Sequence, residues 1–259
     1  MCHFYDESPV PEFEQRARLR IPVTLLEAGI HHVVYGDDAL GIVHRVPICL
    51  SSLELLVAPE NIARTAELIR SKYPYSFVEP RDADCCRDYS FPGMDRAYAF
   101  NGSDTILLRA LDIDNARTNY EPSHILIHTT SVYHFDIHDP TRTMLNPAPP
   151  DDASKSILFP TVPAFYDSLI DTYHEPPLPT LNQSFTDWMR IAMSYLSLYT
   201  ISDKGICARG GKLIPSCSRV LQEAKEENRP FLSRHFFDLS CLGYEASTYE
   251  RRLIKALCW

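Results

Sequence analysis

Two short apolar segments, separated by a glycine and two acids, constrain this chain more than any other feature of its sequence. They lie in residues 33–60, VVYGDDALGIVHRVPICLSSLELLVAPE. The apolar periodicity predicts a strand over 30–35, a turn at Gly36, a short helix, and a second strand over 46–57. Glu54 is the only formal charge of that second strand. Because a lone acid inside an apolar strand is unfavourable unless it is paired, we expect Glu54 to have a specific partner or a function.

The composition is that of a globular protein without a membrane segment. The 259 residues are 45% hydrophobic and 23% charged, and no apolar run approaches the ~18 residues that span a bilayer. The eight cysteines form no C-x-x-C pair and no signal peptide is visible, so we expect reduced thiols in a cytoplasmic protein. The formal net charge of −9 argues against a broad nucleic-acid-binding surface, and no DNA partner is expected.

The remainder of the first part of the chain alternates predicted helices and strands. Helices are expected over 12–29, with an interruption near Pro22, and over 59–72, which begins with a proline. Strands are expected over 105–113 and 123–138, because both are rich in β-branched and aromatic residues. The long stretch between the second helix and these strands carries proline, glycine and many charges, which predicts a loop with one short strand.

A proline-rich segment, NPAPPDD at 146–152, predicts a linker. After it the pattern becomes helical in four segments, the last of them STYERRLIKALCW. The sequence therefore predicts an α/β (α+β) fold. A mixed sheet with flanking helices is expected over 1–146 and a helical part over 147–259, and the two are expected to form one compact unit.

The stretch around Gly36 resembles the signature of nucleotidyltransferase-fold proteins. In that signature a glycine, followed by Gly or Ser, precedes two acids separated by one apolar residue. With Gly36 in the first position, Ser52 and Glu54 fall on the two acids, and Asp37 replaces the small residue. The resemblance covers roughly residues 30–60 and implies a nucleotidyltransferase-like sheet. Two-metal chemistry needs at least two carboxylates, so Ser52 argues against metal-dependent nucleotide transfer, and no metal or other cofactor is expected.

The acids of this stretch predict an anionic pocket. Asp37, Asp38 and Glu54 would repel a phosphate and hold a cation, and a guanidinium pairs bidentately with carboxylates. We therefore expect Gly36, Asp37 and Asp38 to contribute to substrate binding and Glu54 to be catalytic.

Simpler interpretations of the same acids stay open. Aspartates in the first turn of a helix commonly cap it, which would account for Asp37 and Asp38 without any ligand. Glu54 would be structural if it formed an ion pair with Arg45 or Arg109.

A second polar group lies in HILIHTTSVYHFDIHD, which holds four histidines and two aspartates. Side chains two residues apart on a strand share a face, so His134, Asp136 and His138 are expected to point the same way. The nucleotidyltransferase resemblance makes Asp136 the candidate third acid, with His134 as a general base and His138 in substrate binding. The alternative is a polar strand face on the surface. His124 and His128 are expected to be structural.

A second resemblance joins this motif to FPTVPAFYDSLIDTYHE at 159–175 and to the helical tail. Together they are similar to a family of fungal proteins that includes arginine-containing cyclodipeptide synthases, over roughly residues 20–200. The resemblance implies an acyltransferase that joins arginine from arginyl-tRNA to a second amino acid, donated by another aminoacyl-tRNA. If an acyl-enzyme forms, Ser52 is the expected nucleophile, and direct attack by the second amine is equally compatible.

Contact with tRNA would require local basic segments in an acidic chain. Three are present: the arginines at positions 16, 18 and 20, the stretch 204–212, and the stretch 249–255. Each is also typical of an ordinary solvated surface. Two other functions stay open, a nucleotidyltransferase-fold enzyme with a degenerate metal site and a catalytically inactive binding protein of that fold.

Overall fold

Nine strands and eight α-helices make up the part of the chain that the structure describes. The structure is a computed structural model, and it describes residues 6–50, 52–78, 104–177, 183–202 and 206–241. The strands are β1 (His32–Tyr35), β2 (Ser52–Val57), β3 (Tyr75–Phe77), β4 (Thr105–Ala110), β5 (His124–Thr129), β6 (Thr143–Leu145), β7 (Leu158–Pro160), β8 (Ala208–Arg209) and β9 (Lys212–Leu213). The helices are α1 (Glu12–Glu27), α2 (Gly36–Ile42), α3 (Ile62–Lys72), α4 (Ile113–Thr118), α5 (Val162–His174), α6 (Gln183–Tyr195), α7 (Pro215–Glu223) and α8 (Arg229–Cys241), and a π-helix (Leu196–Ile201) follows α6.

Seven of the strands form one mixed sheet in the order β3-β4-β5-β2-β1-β7-β6, and β8 pairs with β9 in a separate hairpin. At the centre, β2 is antiparallel to β1 and parallel to β5. All four residues of β1 and five of the six in β2 are buried, as expected for central strands covered on both faces. The predicted mixed α/β fold, with helices flanking the sheet and following it, is confirmed.

The sheet extends across the predicted boundary at residue 146. β6 ends at Leu145, and its antiparallel partner β7 begins at Leu158. The proline-rich segment between them lies against α1, where Arg16 donates a hydrogen bond to the Pro150 carbonyl and Asn146 is buried. The sheet and the later helices also share one cluster of buried apolar side chains.

Three strand predictions are wrong at one end. The strand expected over 105–113 ends at Ala110, because α4 begins at Ile113. β2 begins at Ser52, because Pro47 has no N–H to donate to a sheet and the side chains of Ile48 and Leu50 instead pack over Gly41 of α2.

The third wrong strand boundary lies at the histidine-rich segment. β5 ends at Thr129, and residues 130–134 form a turn that the Phe135 amide closes with a hydrogen bond to the Thr130 carbonyl, 3.0 Å away. The alternation of polar and apolar residues continues after Thr129, but those residues have no neighbouring strand to pair with in the described sheet.

The helix predictions are confirmed with local differences. α1 is continuous through Pro22, which removes only one hydrogen bond from the helix. The third segment after the linker is divided into α7 and α8 by residues 224–228. The predicted last helix and the basic stretch 249–255 lie outside the described residues. None of the described helices combines the length and the apolar character that crossing a membrane requires.

A buried carboxylate of α5 fixes the later helices to the sheet-bearing part. Asp167 is 1% exposed and accepts hydrogen bonds from the Lys225 amide at 3.0 Å and from Asn228 Nδ2 at 3.1 Å. Arg142, which precedes β6, lies 3.4 Å from its other oxygen. Burial raises the pKa of Asp167 above its ordinary value, and the bonds from Asn228 and Lys225 limit that rise. Asp167 therefore connects three segments that are distant in sequence.

We expect Asp167→Ala to lower the free energy of unfolding by about 3 kcal/mol, because the buried amide and guanidinium that it accepts from lose their acceptor. Urea unfolding followed by circular dichroism measures the loss. Asp238→Ala is the matched control, since Asp238 is exposed and lies 3.6 Å from Arg234 in an exposed ion pair, for which the expected loss is below about 0.5 kcal/mol. Equal losses in the two variants would contradict the role of Asp167.

Candidate functional site

The Glu54 carboxylate lies directly over Gly36. The register of β1 and β2 places Glu54 opposite Tyr35, the residue before Gly36. Gly36 has φ +61°, and a methyl group on its Cα would lie 2.6 Å from both Cδ and Oε1 of Glu54. Position 36 therefore requires glycine for two reasons, the left-handed backbone and the closeness of the carboxylate.

Two side chains of the described residues hold the buried Glu54 carboxylate. Tyr133 Oη donates a hydrogen bond to Oε2 at 3.0 Å, and His128 Nε2 lies 3.6 Å from the same oxygen. The parallel register of β2 and β5 puts His128 on the sheet face that carries Glu54. His128 Nδ1 is in turn 2.8 Å from Thr105 Oγ1 on β4, which fixes the imidazole ring. Glu54 itself is 1% exposed.

Arg18 of α1 binds the second aspartate of α2. Arg18 and Asp38 are both buried, and they form two hydrogen bonds, Nε to Oδ1 at 2.5 Å and Nη2 to Oδ2 at 2.8 Å. Burial alone would lower the pKa of Arg18, but the Asp38 charge and its hydrogen bond outweigh burial and raise it. Asp38 is thus held by the protein's own guanidinium, and it makes no side-chain cap to the helix.

Asp37 lies beside the aromatic side chains that surround Glu54. It is 2% exposed, and Trp188 Nε1 of α6 lies 3.4 Å from its Oδ1. The centroid of the Tyr133 ring lies 6.3 Å from that of Trp188 and 4.5 Å from that of Tyr35. Burial raises the pKa of Tyr35 well above its ordinary value, so Tyr35 is a neutral donor or acceptor at physiological pH. Asp37 and Glu54 are therefore both buried, where electrostatic interactions are stronger than in water.

Ser52 lies at the beginning of β2, on the same face as Glu54, because the two are two residues apart. It is partly buried, and its carbonyl accepts a hydrogen bond from Arg18 Nη2 at 2.8 Å. Its partner across the parallel pair is His124 on β5. Burial, with Arg109 and Arg117 nearby, lowers the pKa of His124 to about 4, so this imidazole is neutral at physiological pH.

His134, Asp136 and His138 form a separate group on the turn after β5. His134, at φ +47°, places Nε2 2.7 Å from the Glu175 carbonyl oxygen. Asp136 is exposed and accepts a hydrogen bond from the His138 amide at 2.9 Å. The prediction that these three side chains share a strand face is wrong, because the segment is not a strand. The structure does not bring Asp136 to the buried Glu54.

The turn residues line a cleft of about 780 Å³. His134 and Asp136 form one wall, and the opposite wall comes from the end of α5 and the segment between α7 and α8, including Glu175 and Lys225. His138 is exposed and stacks on His31 at 5.3 Å. The predicted site residues therefore divide into a buried group on α2 and β2 and an outer group on the turn.

The structure adds four side chains to the buried group, namely Arg18, His128, Tyr133 and Trp188. His128 was expected to be structural, and Arg18 was expected among the surface arginines. In the described residues the other two arginines of that basic segment are also paired, Arg16 with Glu12 and Arg20 with Glu121. The sequence pattern does not single out His128, because only the sheet topology shows that its strand, β5, pairs with β2.

Comparison with family models, with characterised proteins and with solved structures finds no match to this chain. Within the described ranges, no three His, Cys, Asp or Glu side chains cluster in a way that would hold a metal ion. The site comprises two buried carboxylates near a glycine turn, one imidazole, one phenol hydroxyl and an internal arginine–aspartate pair.

We expect Gly36→Ala to destabilise the fold by about 2–4 kcal/mol, because it adds a clash with the Glu54 carboxylate to the strain of a left-handed backbone. Urea unfolding measures the loss. Gly29→Ala is the matched control, since Gly29 has φ +70° but no atom within 4 Å of an added methyl group, so it carries only the backbone strain, about 1 kcal/mol. If the two variants lose equal stability, the close contact between Gly36 and Glu54 is wrong.

Proposed function

We propose that this chain is an acyltransferase that forms peptide bonds from aminoacyl-tRNA, of the arginine-containing cyclodipeptide synthase type, with Glu54 as its central catalytic group. The observation that supports the proposal is the placement of the Glu54 carboxylate over Gly36, in contact with Tyr133 and beside His128. A carboxylate with an imidazole and a phenol hydroxyl is a set of groups suited to moving protons between nitrogen and oxygen.

The proposed reaction needs two proton movements. The amine of one aminoacyl group attacks the ester carbonyl of the other, so a C–N bond forms and the ester C–O bond to the tRNA breaks. Glu54 accepts the proton that the attacking amine loses, with His128 alongside, and Tyr133 donates to the departing ribose oxygen and recovers a proton from Glu54. In the resulting dipeptidyl-tRNA the free amine attacks the remaining ester carbonyl, so a second C–N bond forms, the ester C–O bond to the second tRNA breaks, and the ring closes. Transfer of the first acyl group to Ser52, which lies on the same face as Glu54, is an alternative first step.

The choice of arginine rests on Asp37, since Glu54 is the proposed base and cannot hold the substrate guanidinium at the same time. A guanidinium pairs with carboxylates through several fixed N–H groups, and it gains more from this pairing where water is excluded. Arg18 already occupies Asp38, so Asp38 contributes to the proposed site through its pair with Arg18. The donors, arginyl-tRNA and a second aminoacyl-tRNA, place the proposed activity in the cytoplasm.

The placement of the Glu54 carboxylate over Gly36 also suits the nucleotidyltransferase alternative. A glycine turn close to an acid on the next strand is the arrangement that the nucleotidyltransferase signature implies. The two functions differ in their donor. Nucleotide transfer requires a nucleoside triphosphate and a divalent cation, whereas the proposed acyl transfer takes its activation energy from the tRNA ester.

Expression of the chain in a heterologous host tests the proposal. We expect mass spectrometry to find a new cyclic dipeptide that gains the mass of isotopically labelled arginine. Glu54→Gln should lower its yield by ~10²–10⁴-fold, because removal of a general base costs about that factor. Glu60→Gln is the matched control, since it makes the same chemical change at an exposed residue three positions after the end of β2 and should leave the yield unchanged.

Two results would contradict the proposal. One is a wild-type chain that folds and yields no product from charged tRNA. The other is turnover of ATP or GTP with Mg²⁺ that Glu54→Gln abolishes, which would support the nucleotidyltransferase alternative instead.

A further inference from the structure

Arg18 connects the two elements that carry the proposed site. It extends from α1 and is 1% exposed. Its Nε and Nη2 bind both oxygens of Asp38 on α2, and Nη2 also donates to the Ser52 carbonyl on β2 at 2.8 Å. Asp38 is adjacent to Asp37, and Ser52 is two residues before Glu54. One planar group thus sets the position of the short helix relative to the strand.

We propose that Arg18 is a positioning residue that fixes Asp37 relative to Glu54. The inference rests on the proposed function in assigning a use to that spacing. α2 has only seven residues and no side-chain cap at its start, and all seven residues are buried, so its orientation depends on contacts with other elements, including the bonds from Arg18. A rotation of α2 would turn Asp37 away from Trp188 and change its distance from the Glu54 carboxylate.

The chemistry of the contact explains why the residue is arginine. A guanidinium presents several N–H donors in one plane with fixed geometry, so it reaches two carboxylate oxygens and a carbonyl at once. A lysine ammonium carries the same charge but is a point donor on a flexible stem. It can satisfy the charge of Asp38 without fixing the angle between α2 and β2.

Stability alone is a weak explanation for this pair. Two charges lose their hydration when they are buried, and well-packed apolar residues often replace such a pair without loss of stability. The pair lies where it controls the relative placement of the two proposed functional carboxylates, in a molecule whose other arginines on α1 are exposed and paired at the surface. Positioning accounts for both the burial and the third hydrogen bond.

The experiment compares one variant that removes the charged pair with another that keeps the positive charge and changes only the geometry of the donor. All proteins carry Trp259→Phe, so that Trp188 is the only tryptophan left of the two in the sequence and its fluorescence reports the surroundings of Asp37. The variants are the double substitution Arg18→Met with Asp38→Leu, and the single substitution Arg18→Lys. The control is Arg234→Met with Asp238→Leu, which removes an exposed pair from α8, 3.6 Å between the charged groups.

Urea unfolding, Trp188 emission, kcat and KM for arginyl-tRNA are measured for each protein. We expect the double variant to fold, to shift the emission of Trp188, and to lose kcat by ~10–100-fold with KM changed less than about threefold, because small misplacement of reacting groups costs about that much. Arg18→Lys should fold and lose kcat by at least about threefold, since it keeps the charge and lacks the fixed geometry. The control pair should match the parent in all four measurements.

The proposal is overturned if a folded double variant, or folded Arg18→Lys, keeps the parent's kcat and Trp188 emission. Failure of the double variant to fold while Arg18→Lys keeps full kcat would also overturn it, because Arg18 would then be purely structural. If the parent makes no product, the proposed function fails separately, and an unchanged Trp188 emission in folded Arg18→Lys then overturns the positioning role.

Discussion

The rest of the structure depends on the close contact between the Glu54 carboxylate and Gly36, a residue that has no side chain. Glu54 projects from a central strand onto Gly36, where any other residue would collide with it. The close contact requires a left-handed glycine at the end of β1, and this backbone begins α2 with two acids in its first turn. Burying so many carboxylates near one another is unfavourable unless partners are supplied. Arg18, Tyr133, His128 and Trp188 are among the partners that the described residues provide.

These partners belong to segments that are distant in sequence. Their contacts with the site explain why the sheet and the later helices share one core. Arg18 comes from the first helix and His128 from the strand parallel to β2. Trp188 comes from a helix beyond the proline-rich segment, and Ser168 of α5 binds the hydroxyl of Tyr35 at 2.8 Å. The helical part thus completes the surroundings of a site whose acids belong to the sheet-bearing part. A boundary drawn on composition at residue 146 separates groups that the site brings together.

The local sequence pattern predicts the strands and the short helix around the site. It does not predict which side chains contact the site's carboxylates. The strand, glycine turn, helix and second strand follow from apolar periodicity over about thirty consecutive residues. The bond between Arg18 and Asp38 spans 20 positions and that to Ser52 spans 34, and no periodicity encodes them. His128 meets Glu54 only because β5 crosses over to lie parallel to β2. Asp136 was misplaced because polar alternation persists beyond Thr129, where sheet pairing ends.

The central claim is that the carboxylate above Gly36 serves acyl transfer. Its most direct test is a single-turnover reaction of the purified chain with labelled arginyl-tRNA and a second aminoacyl-tRNA, without added nucleoside triphosphate, followed by mass spectrometry of the small-molecule fraction. The account predicts a labelled product with a new peptide bond, formed faster than the tRNA ester hydrolyses and lost in Glu54→Gln. Recovery of only free arginine, released at the rate measured without protein, would contradict the account.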